Sequence, residues 1–299
     1  MALCFAIPAH ECPECLEDLL ANIRHFCPGA VPVVYNGSGD PTLFEGISAP
    51  ICPYSKKVAW GRLERCVLES MVWVTREGIP FDFFVALDSD ALFINHGYEA
   101  LLERELRDAE YMGVDFRSVD HPAMPWSPGR MAWAEWDLWR PLLGAEHPYG
   151  AFAVAQTFRR SLVERIVSHP RLREILAAMR LSHVFALEEV LFPTLAVALD
   201  ARPKPYPTIY SFAVVFRRGD PFTLEEAREL RGVPDCHLIH PVARTMSDPV
   251  RSWIRRLSGY GKAGPQGLSR PGHIRRLSRA ADSYPGEQTR VDWPKEGAR

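Results

Sequence analysis

The chain has 299 residues, of which 47% are hydrophobic and 24% are charged, so a substantial folded core is expected. No stretch reaches the roughly 20 apolar residues that a membrane span needs. The first residues, MALCFAIPAH, lack the basic start of a signal peptide and are better interpreted as a core strand.

The formal net charge of −2 is unevenly distributed. Residues 251–299 contain 11 Lys/Arg and 4 Asp/Glu, a balance of +7, which leaves −9 for residues 1–250. The simplest interpretation is an acidic folded domain over residues 1–250, followed by a basic tail of weak order. A solvated tail is favoured over weak contact with a membrane surface, and no nucleic-acid partner is expected.

Seven cysteines occur without a regular spacing. This pattern favours reduced thiols in a cytoplasmic protein over a disulfide framework. The segment CPEC, residues 12–15, is expected to begin a helix with buried thiols rather than to form a redox or zinc site, because zinc sites usually need two such pairs.

The first 116 residues alternate between apolar runs and amphipathic segments. Strands are predicted at 3–7, 31–35 and 83–87, and helices at 13–26 and 60–76. This alternation is typical of an α/β fold, in which helices cover both faces of a mostly parallel sheet. Ligands of such sheets bind beyond the carboxyl ends of the strands, where Ala9–His10, Tyr35–Asn36 and Asp88–Asp90 fall.

The second half of the chain is less regular. Helices are predicted at 161–167, 172–179 and 188–199, and late strands at 212–216 and 237–240. Residues 121–149 are rich in proline and tryptophan. Trp133 and Trp136 are three residues apart, so they could form one helical face in the core.

Two carboxylates follow the third predicted strand, in the segment FFVALDSDALFI at residues 83–94. In extended chain, residues i and i+2 point to the same side, so Asp88 and Asp90 can reach one divalent cation. Oxygen ligands of this kind suit Mg²⁺ or Mn²⁺, which bridge a carboxylate and a diphosphate. An exposed turn is the alternative, but the apolar residues on both sides argue against it.

Three further features carry candidate chemistry. Glu188 and Glu189 open an apolar helix, and since adjacent helical residues diverge by about 100°, at most one is expected to face a pocket. His240 ends an apolar strand just before Pro241, which puts its imidazole on a rim. Arg244 could contact a phosphate. Structural roles are common for all of these residue types.

Five segments, in the same order along the chain, resemble one enzyme family. They are LCFAIPAHECPECLEDLL, VAWGRLERCVLESM, FDFFVALDSDALFI, LEEVLFPTL and PVARTMSD. They are similar to motifs of the core-2/I-branching glycosyltransferases and the related xylosyltransferases, family 14, which have the GT-A fold. The resemblance extends over residues 3–248 as scattered short motifs.

The resemblance implies an inverting transfer of a sugar from a nucleotide sugar, usually a UDP-sugar, to a hydroxyl of a glycan or small-molecule acceptor. It puts the catalytic base on Glu189, the preceding acid on Glu188 and a diphosphate contact on Arg244. It also implies one GT-A domain, with a nucleotide half at 1–116 and an acceptor half at 117–250. The residues assigned to the nucleotide sugar are Ala9, His10, Tyr35, Asn36, Trp60, Asp88 and Arg244. Flat aromatic rings suit the face of a sugar, so Trp133, Glu135 and Trp136 are assigned to acceptor binding, while a helical face in the core is the alternative interpretation of the two tryptophans.

The chain departs from the family at the metal position. Members typically have Ser-Gly-x-Asp and can work without metal, whereas this chain has Asp88-Ser89-Asp90. It also has Thr245 where the family tends to have Lys. One carboxylate is gained and one cation is lost, so we expect Mn²⁺ or Mg²⁺ held by Asp88, Asp90 and His240.

Two other functional classes remain open from the sequence. A hydrophobic strand followed by Asp-x-Asp also describes haloacid-dehalogenase-like phosphohydrolases, in which the pattern normally lies near the N-terminus and ends in Thr or Val. Here Ala91 and Leu92 follow it. The second alternative is a GT-A-like binding module without catalysis.

Overall fold

The computed structural model describes residues 1–260. The strands are β1 (Leu3–Ala9), β2 (Val31–Asn36), β3 (Phe83–Ala86), β4 (Leu92–Phe93), β5 (Tyr111–Gly113), β6 (Arg117–Ser118), β7 (Tyr149–Gly150), β8 (Thr157–Arg159), β9 (Lys204–Pro205) and β10 (Leu238–Ile239). The helices are α1 (Pro13–Phe26), α2 (Glu64–Arg76), α3 (Tyr98–Glu105), α4 (Ser127–Ala134), α5 (Trp136–Leu143), α6 (Arg160–Val167), α7 (Leu172–Leu181), α8 (Glu188–Ala198), α9 (Tyr210–Ala213), α10 (Leu224–Arg231) and α11 (Pro249–Ser258). Among residues 1–260, no helix is long and apolar enough to cross a bilayer. Most of the predicted basic tail, residues 261–299, lies outside the described range.

Six strands form one mixed sheet in the order β2-β1-β3-β8-β5-β9. Strand β1 runs parallel to β2 and β3, and β5 runs parallel to β9. Only β8 is antiparallel to its neighbours within this sheet. The predicted α/β fold with a mostly parallel sheet is confirmed. Because β8 and β9 come from the second half of the chain, the two predicted halves share one sheet.

Strand β1 is buried on both faces, as a central strand of an α/β sheet must be. The side chains from Leu3 to Ile7 are each exposed by 3% or less. The alternate residues Leu3, Phe5 and Ile7 share one apolar cluster with α1. Helix α2 also packs against β1 and β2, but its buried side chains lie outside that cluster. The two helices therefore cover opposite faces of the sheet.

Two predicted elements differ from the structure. The helix predicted from residue 60 begins only at Glu64, because Gly61 has a φ of +70°, which no right-handed helix accommodates. The strand predicted at 212–216 is wrong, since α9 occupies its first residues and only Val214 pairs, in an isolated bridge with His240. Short apolar runs do not distinguish a strand from a helical turn.

The cysteine prediction needs one correction. Cys12 and Cys15 form a disulfide, although reduced thiols were predicted. Cys12 is the N-cap of α1 and Pro13 lies in the first turn, as expected, and residues three apart at a helix start face the same side. The five remaining cysteines are free and buried, in agreement with the prediction.

Helix α11 is held against α1 by a buried ion pair. Arg251 is 0% exposed, and its Nη1 lies 3.0 Å from Oδ2 of Asp18. The same guanidinium donates to the backbone carbonyls of Ala243 at 2.8 Å and Cys15 at 3.3 Å. The sequence prediction began the tail at residue 251, whereas residues 251–258 belong to this packed helix.

Replacing Arg251 is expected to destabilise the domain. Arg251→Ala leaves the Asp18 carboxylate buried, with only Arg255 at 3.6 Å as a remaining cation. The free energy of unfolding, measured by urea titration, should fall by about 3 kcal/mol. The control Arg256→Ala removes an exposed arginine of the same helix and should change it by less than about 0.5 kcal/mol. Equal losses in the two variants would contradict the buried ion pair as the anchor.

Candidate functional site

A cavity of about 610 Å³ opens at the carboxyl ends of the central strands. Ala9 and His10 line it at the end of β1, Asp88 and Asp90 after β3, and His240 after β10. Its volume falls within the range of roughly 300–1,000 Å³ that is usual for small-molecule sites. The rim that the sequence predicted is thus the wall of a cavity large enough for a substrate.

Antiparallel pairing of β4 with β10 brings His240 to the two aspartates. Ile239 lies opposite Leu92, so the residue after β10 reaches the loop that precedes β4. The backbone N–H of Val242 donates to the carbonyl of Asp90 at 2.7 Å, which fixes the two loops against each other. The position of His240 therefore follows from strand register.

The side chains of Asp88, Asp90 and His240 converge on one point. One ligand atom from each lies within 4.8 Å of the others, and His240 Nε2 is 3.2 Å from Asp90 Oδ1 and 3.8 Å from Asp88 Oδ2. His240 Nδ1 lies 3.1 Å from the carbonyl oxygen of Val215. Because a carbonyl can only accept, Nδ1 carries a proton and Nε2 faces the carboxylates. Two carboxylates and an imidazole form a donor set that suits a divalent cation.

Opposing charges set the protonation of this cluster. Burial and the neighbouring Asp90 carboxylate raise the pKa of Asp88. Burial would also raise the pKa of Asp90, but His240 and Arg244 outweigh it and bring the value to about 2. Burial would lower the pKa of His240, yet the two aspartates outweigh it and raise that pKa. The cluster thus favours a positive charge between its carboxylates.

Arg244 borders the same cluster. Its Nη2 lies 3.1 Å from Asp90 Oδ2, and its Nε donates to the hydroxyl of Ser89 at 3.2 Å. Nη1 is 3.6 Å from Oε1 of the exposed Glu11. The side chain is 29% exposed and lines the cavity, so part of the guanidinium faces the space where a ligand would lie.

Glu189 is a buried carboxylate in the first turn of α8. It is 8% exposed, and its Oε1 accepts a hydrogen bond from the backbone N–H of Ala153 at 3.3 Å. Burial raises its pKa to about 7, and the Ala153 N–H and the charge of Arg117 offset only part of that effect. A carboxyl group with this pKa can exchange a proton near neutral pH.

Glu188 is buried still more deeply than its neighbour. It is 3% exposed, and its Oε2 accepts from the backbone N–H of Leu63 at 3.2 Å. Burial, followed by the nearby carboxylates of Glu64 and Glu189, raises its pKa well above the usual range. Both glutamates line the cavity, contrary to the expectation that only one would, because α8 begins at the cavity wall.

Comparisons with known proteins give low similarity. No protein-family profile matches the chain, and no curated protein matches its sequence. Among solved structures, the chain is similar to the galactosyltransferase LgtC in complex with donor and acceptor sugar analogues, at 12% identity and a TM-score of 0.43 over 89% of this chain and 98% of that one. An active-site mutant of LgtC gives 13% identity and a TM-score of 0.42, over 87% and 95% of the two chains. The Mn/GDP form of core-mannan synthase A from Aspergillus fumigatus gives 10% identity and a TM-score of 0.39, over 69% and 73%. At these values the function has to be argued from the residues of the site.

Two residues predicted to border the nucleotide have contacts of their own. The hydroxyl of Tyr35, which is 1% exposed, donates to a carboxylate oxygen of Glu69 at 2.6 Å. The side-chain amide of Asn36 donates to the carbonyl of Asp40 at 2.8 Å, and its oxygen accepts from Ser38. Neither side chain lines the cavity. Ala9, His10 and Trp60 do line it.

The three residues predicted to bind the acceptor also lie outside the lining of the cavity. The indole nitrogens of Trp133 and Trp136 donate to the carbonyls of Val119 at 2.7 Å and Glu146 at 3.0 Å. The carboxylate of Glu135 accepts from the hydroxyl of Ser182 at 2.6 Å and from the backbone N–H of His183 at 2.7 Å. Trp133 lies in α4 and Trp136 in α5, so they do not form one helical face, and their role in acceptor binding stays a prediction.

The cavity also has walls that the sequence did not reveal. They are residues 152–154, 185–186 and 216–219. Each segment lies in a connection between short elements, and no local pattern distinguishes it from other loops. The consecutive arginines Arg217 and Arg218 were the sequence feature that could have indicated a binding segment at residues 216–219.

Trp126 lies beside Glu189 in a space that two glycines leave open. A Cβ atom at Gly150 would lie 2.3 Å from the Trp126 ring, and one at Gly129 would lie 2.7 Å from it. The guanidinium carbon of Arg117 is 5.5 Å from the ring centroid. A hydrogen bond from Trp126 helps to lower the pKa of Glu189 against the effect of burial. The glycines thus allow a large side chain to reach this carboxylate.

The stabilising effect of neutralising Glu189 is expected to grow as the pH rises. Its folded-state pKa of about 7 lies above the ordinary 4.5, so the wild type loses stability as pH rises through this interval. Glu189→Gln should therefore gain about 2 kcal/mol more in unfolding free energy at about pH 8 than at about pH 5. Urea unfolding at both values measures this. The control Glu103→Gln changes an exposed carboxylate and should show no such difference, and a pH-independent gain at Glu189 would contradict a raised pKa.

Proposed function

We propose that this protein is a metal-assisted, inverting glycosyltransferase of the GT-A type. It would move a sugar from a nucleotide sugar, most simply a UDP-sugar, to an acceptor hydroxyl. One observation carries the proposal: a partly buried Asp-Asp-His cluster and a buried glutamate with a pKa of about 7 line the same cavity. The cavity lies where α/β sheets bind ligands, at the carboxyl ends of the strands.

The donor set supports a divalent cation, Mn²⁺ or Mg²⁺, held by Asp88, Asp90 and His240. Asp90 Oδ1 is buried, and His240 Nε2 lies 3.2 Å from it, so both atoms can face one cation. The Val215 carbonyl holds the imidazole with Nε2 toward the carboxylates, a support that metal-ligating histidines commonly have. When bound, such a cation supplies positive charge that neutralises a diphosphate leaving group.

The environment of Glu189 supports its role as the general base. In an inverting transfer, the base takes the proton of the acceptor hydroxyl. The acceptor oxygen then bonds to the anomeric carbon as the bond from that carbon to the diphosphate breaks on the opposite face. A pKa of about 7 leaves a useful fraction of Glu189 ionised at neutral pH and keeps it basic enough to accept a proton. Burial raises the pKa of Glu188 well above its ordinary value, which favours a neutral group beside the base.

The remaining lining residues suit the nucleotide diphosphate. Ala9 ends β1 and His10 follows it, and Gly37 follows β2, so these residues would border the nucleotide. Arg244 already holds Asp90 and could share its guanidinium with a diphosphate oxygen, as charge-assisted hydrogen bonds favour.

Removing the metal is expected to stop transfer. Excess EDTA should abolish nucleotide release from a nucleotide sugar, and Mn²⁺ should restore it. Asp90→Asn should lower kcat/KM by at least about 100-fold and weaken Mn²⁺ binding, measured by isothermal titration. The control Asp108→Asn changes an exposed aspartate and should alter neither quantity. Full activity in EDTA would contradict metal assistance and favour the metal-independent mechanism of the family that the sequence resembles. Release of inorganic phosphate from phosphate esters would instead favour a phosphohydrolase.

Replacing the base is expected to separate chemistry from binding. Glu189→Gln should reduce kcat by about 1,000-fold while the Kd of the nucleotide sugar stays unchanged. Glu188→Gln should cost less than about tenfold, because burial raises the pKa of that carboxyl group and already favours its neutral form. The wild-type kcat/KM should rise with pH through an inflection near 7, since the base must lose its proton first. Equal losses of kcat in the two variants would contradict the assignment of Glu189 as the specific base.

A further inference from the structure

Trp60 forms an exposed aromatic wall of the cavity. Its side chain is 68% exposed, which is unusual for so large an apolar group, and it lines the same cavity as Glu189. Phe216, also in the lining, is 62% exposed. Exposed aromatic faces at the mouth of a pocket are typical of binding surfaces rather than of a folded core.

The loop of Trp60 is fixed to the segment that leads into the proposed base. The ring centroids of Trp60 and Phe185 are 4.7 Å apart. The backbone N–H of Ala186 donates to the Gly61 carbonyl at 2.9 Å. Gly61 is required here, because a Cβ atom would lie 2.1 Å from the ring of Phe185. The Trp60 ring is therefore held at a set position relative to Glu188 and Glu189.

Arg218 adds a positive charge to this aromatic wall. Its guanidinium carbon lies 5.3 Å from the centroid of the Trp60 ring. The neighbouring Arg217 is committed to an ion pair with Glu226 at 2.8 Å. Arg218 is exposed, and no carboxylate of residues 1–260 forms an ion pair with it. Its charge is thus available to a ligand in the cavity.

We infer that Trp60 and Arg218 form the acceptor subsite, and that it takes a sugar ring carrying an anionic group, either a carboxylate or a phosphate. The flat indole face would contact the ring, and the guanidinium would pair with the anion, for which its planar fork is suited. This inference rests on the proposed function, because Asp88, Asp90 and Arg244 are assigned there to the donor diphosphate. It moves Trp60 from the predicted nucleotide site to the acceptor side, where its contact with Phe185 lies.

Direct binding tests this subsite without knowledge of the true donor. The probes are methyl β-glucuronide, methyl glucoside 6-phosphate and neutral methyl β-glucoside, titrated in the presence of Mn²⁺ and UDP. At least one anionic probe should bind about fivefold more tightly than the neutral one. The tighter of the two anions identifies the carboxylate or the phosphate as the recognised group.

The variants should divide this binding into two contributions. Arg218→Gln should remove the preference for the anion, and Trp60→Ala should weaken all three probes by about fivefold to tenfold. The Kd of UDP with Mn²⁺ should be unchanged in both. Arg107→Gln and Leu181→Ala are matched controls, because they alter an exposed arginine and an equally exposed apolar residue outside the cavity. Neither control should change any of the affinities.

The outcomes separate this inference from the proposed function. Equal binding of anionic and neutral probes, or none, together with normal UDP and Mn²⁺ binding, would overturn the acceptor subsite and leave the proposed function intact. Weaker UDP binding in Arg218→Gln, with an unchanged preference for the anionic probes, would assign Arg218 to the donor site. That result would also overturn the acceptor subsite. The wild type could instead bind neither UDP nor Mn²⁺ and still prefer the anionic probes in a way that depends on Arg218. That result would contradict the proposed transferase function and support the anion-binding subsite.

Discussion

The burial of several carboxylates around one cavity is the constraint on which this site depends. Asp88, Asp90, Glu188 and Glu189 all line it, and like charges in a poorly solvated space cannot all remain ionised. Three features compensate for them. The imidazole of His240 lies between the aspartates, Arg244 contacts Asp90, and burial raises the pKa of Glu188 and so favours its protonated form. A divalent cation would replace the imidazole proton and satisfy the same negative charge, so the arrangement that needs compensation is also one that suits a metal ion.

The fold holds these groups in place through backbone contacts rather than through the side chains themselves. Pairing of β4 with β10 determines where His240 lies, and the Val215 carbonyl determines which imidazole nitrogen faces the aspartates. The start of α8 is attached to Ala153 and Leu63 through hydrogen bonds to Glu189 and Glu188. Such supports reduce the reorganisation that a bound substrate would require, which is how preorganised sites contribute to catalysis.

Sequence reasoning found the two aspartates, but the physical reason differs from the predicted one. Extended backbone was expected to point Asp88 and Asp90 to one side, whereas Ser89 and Asp90 lie in a turn in which the backbone N–H of Ala91 donates to the Asp88 carbonyl at 3.1 Å. The parallel sheet follows from the alternation of strands and helices, and the structure has it. The same reasoning was less informative for Trp133 and Trp136, whose indole N–H groups donate to nearby carbonyls. A tryptophan-rich segment indicates large apolar surfaces, but it does not indicate whether they face the core or a ligand.

The amino-acid sequence by itself determined the α/β architecture, the carboxylates at a strand end and the histidine at another, because these depend on periodicity and on neighbours within a few residues. Only the tertiary structure decided which of these groups meet. The contact of His240 with Asp90 depends on strand register between distant segments, and the exposure of Trp60 beside Arg218 depends on how a loop packs against Phe185. Protonation belongs to the same category, because burial and charged neighbours from other elements decide it. Glu188 and Glu189 are adjacent and chemically identical, yet their surroundings give them different proton affinities.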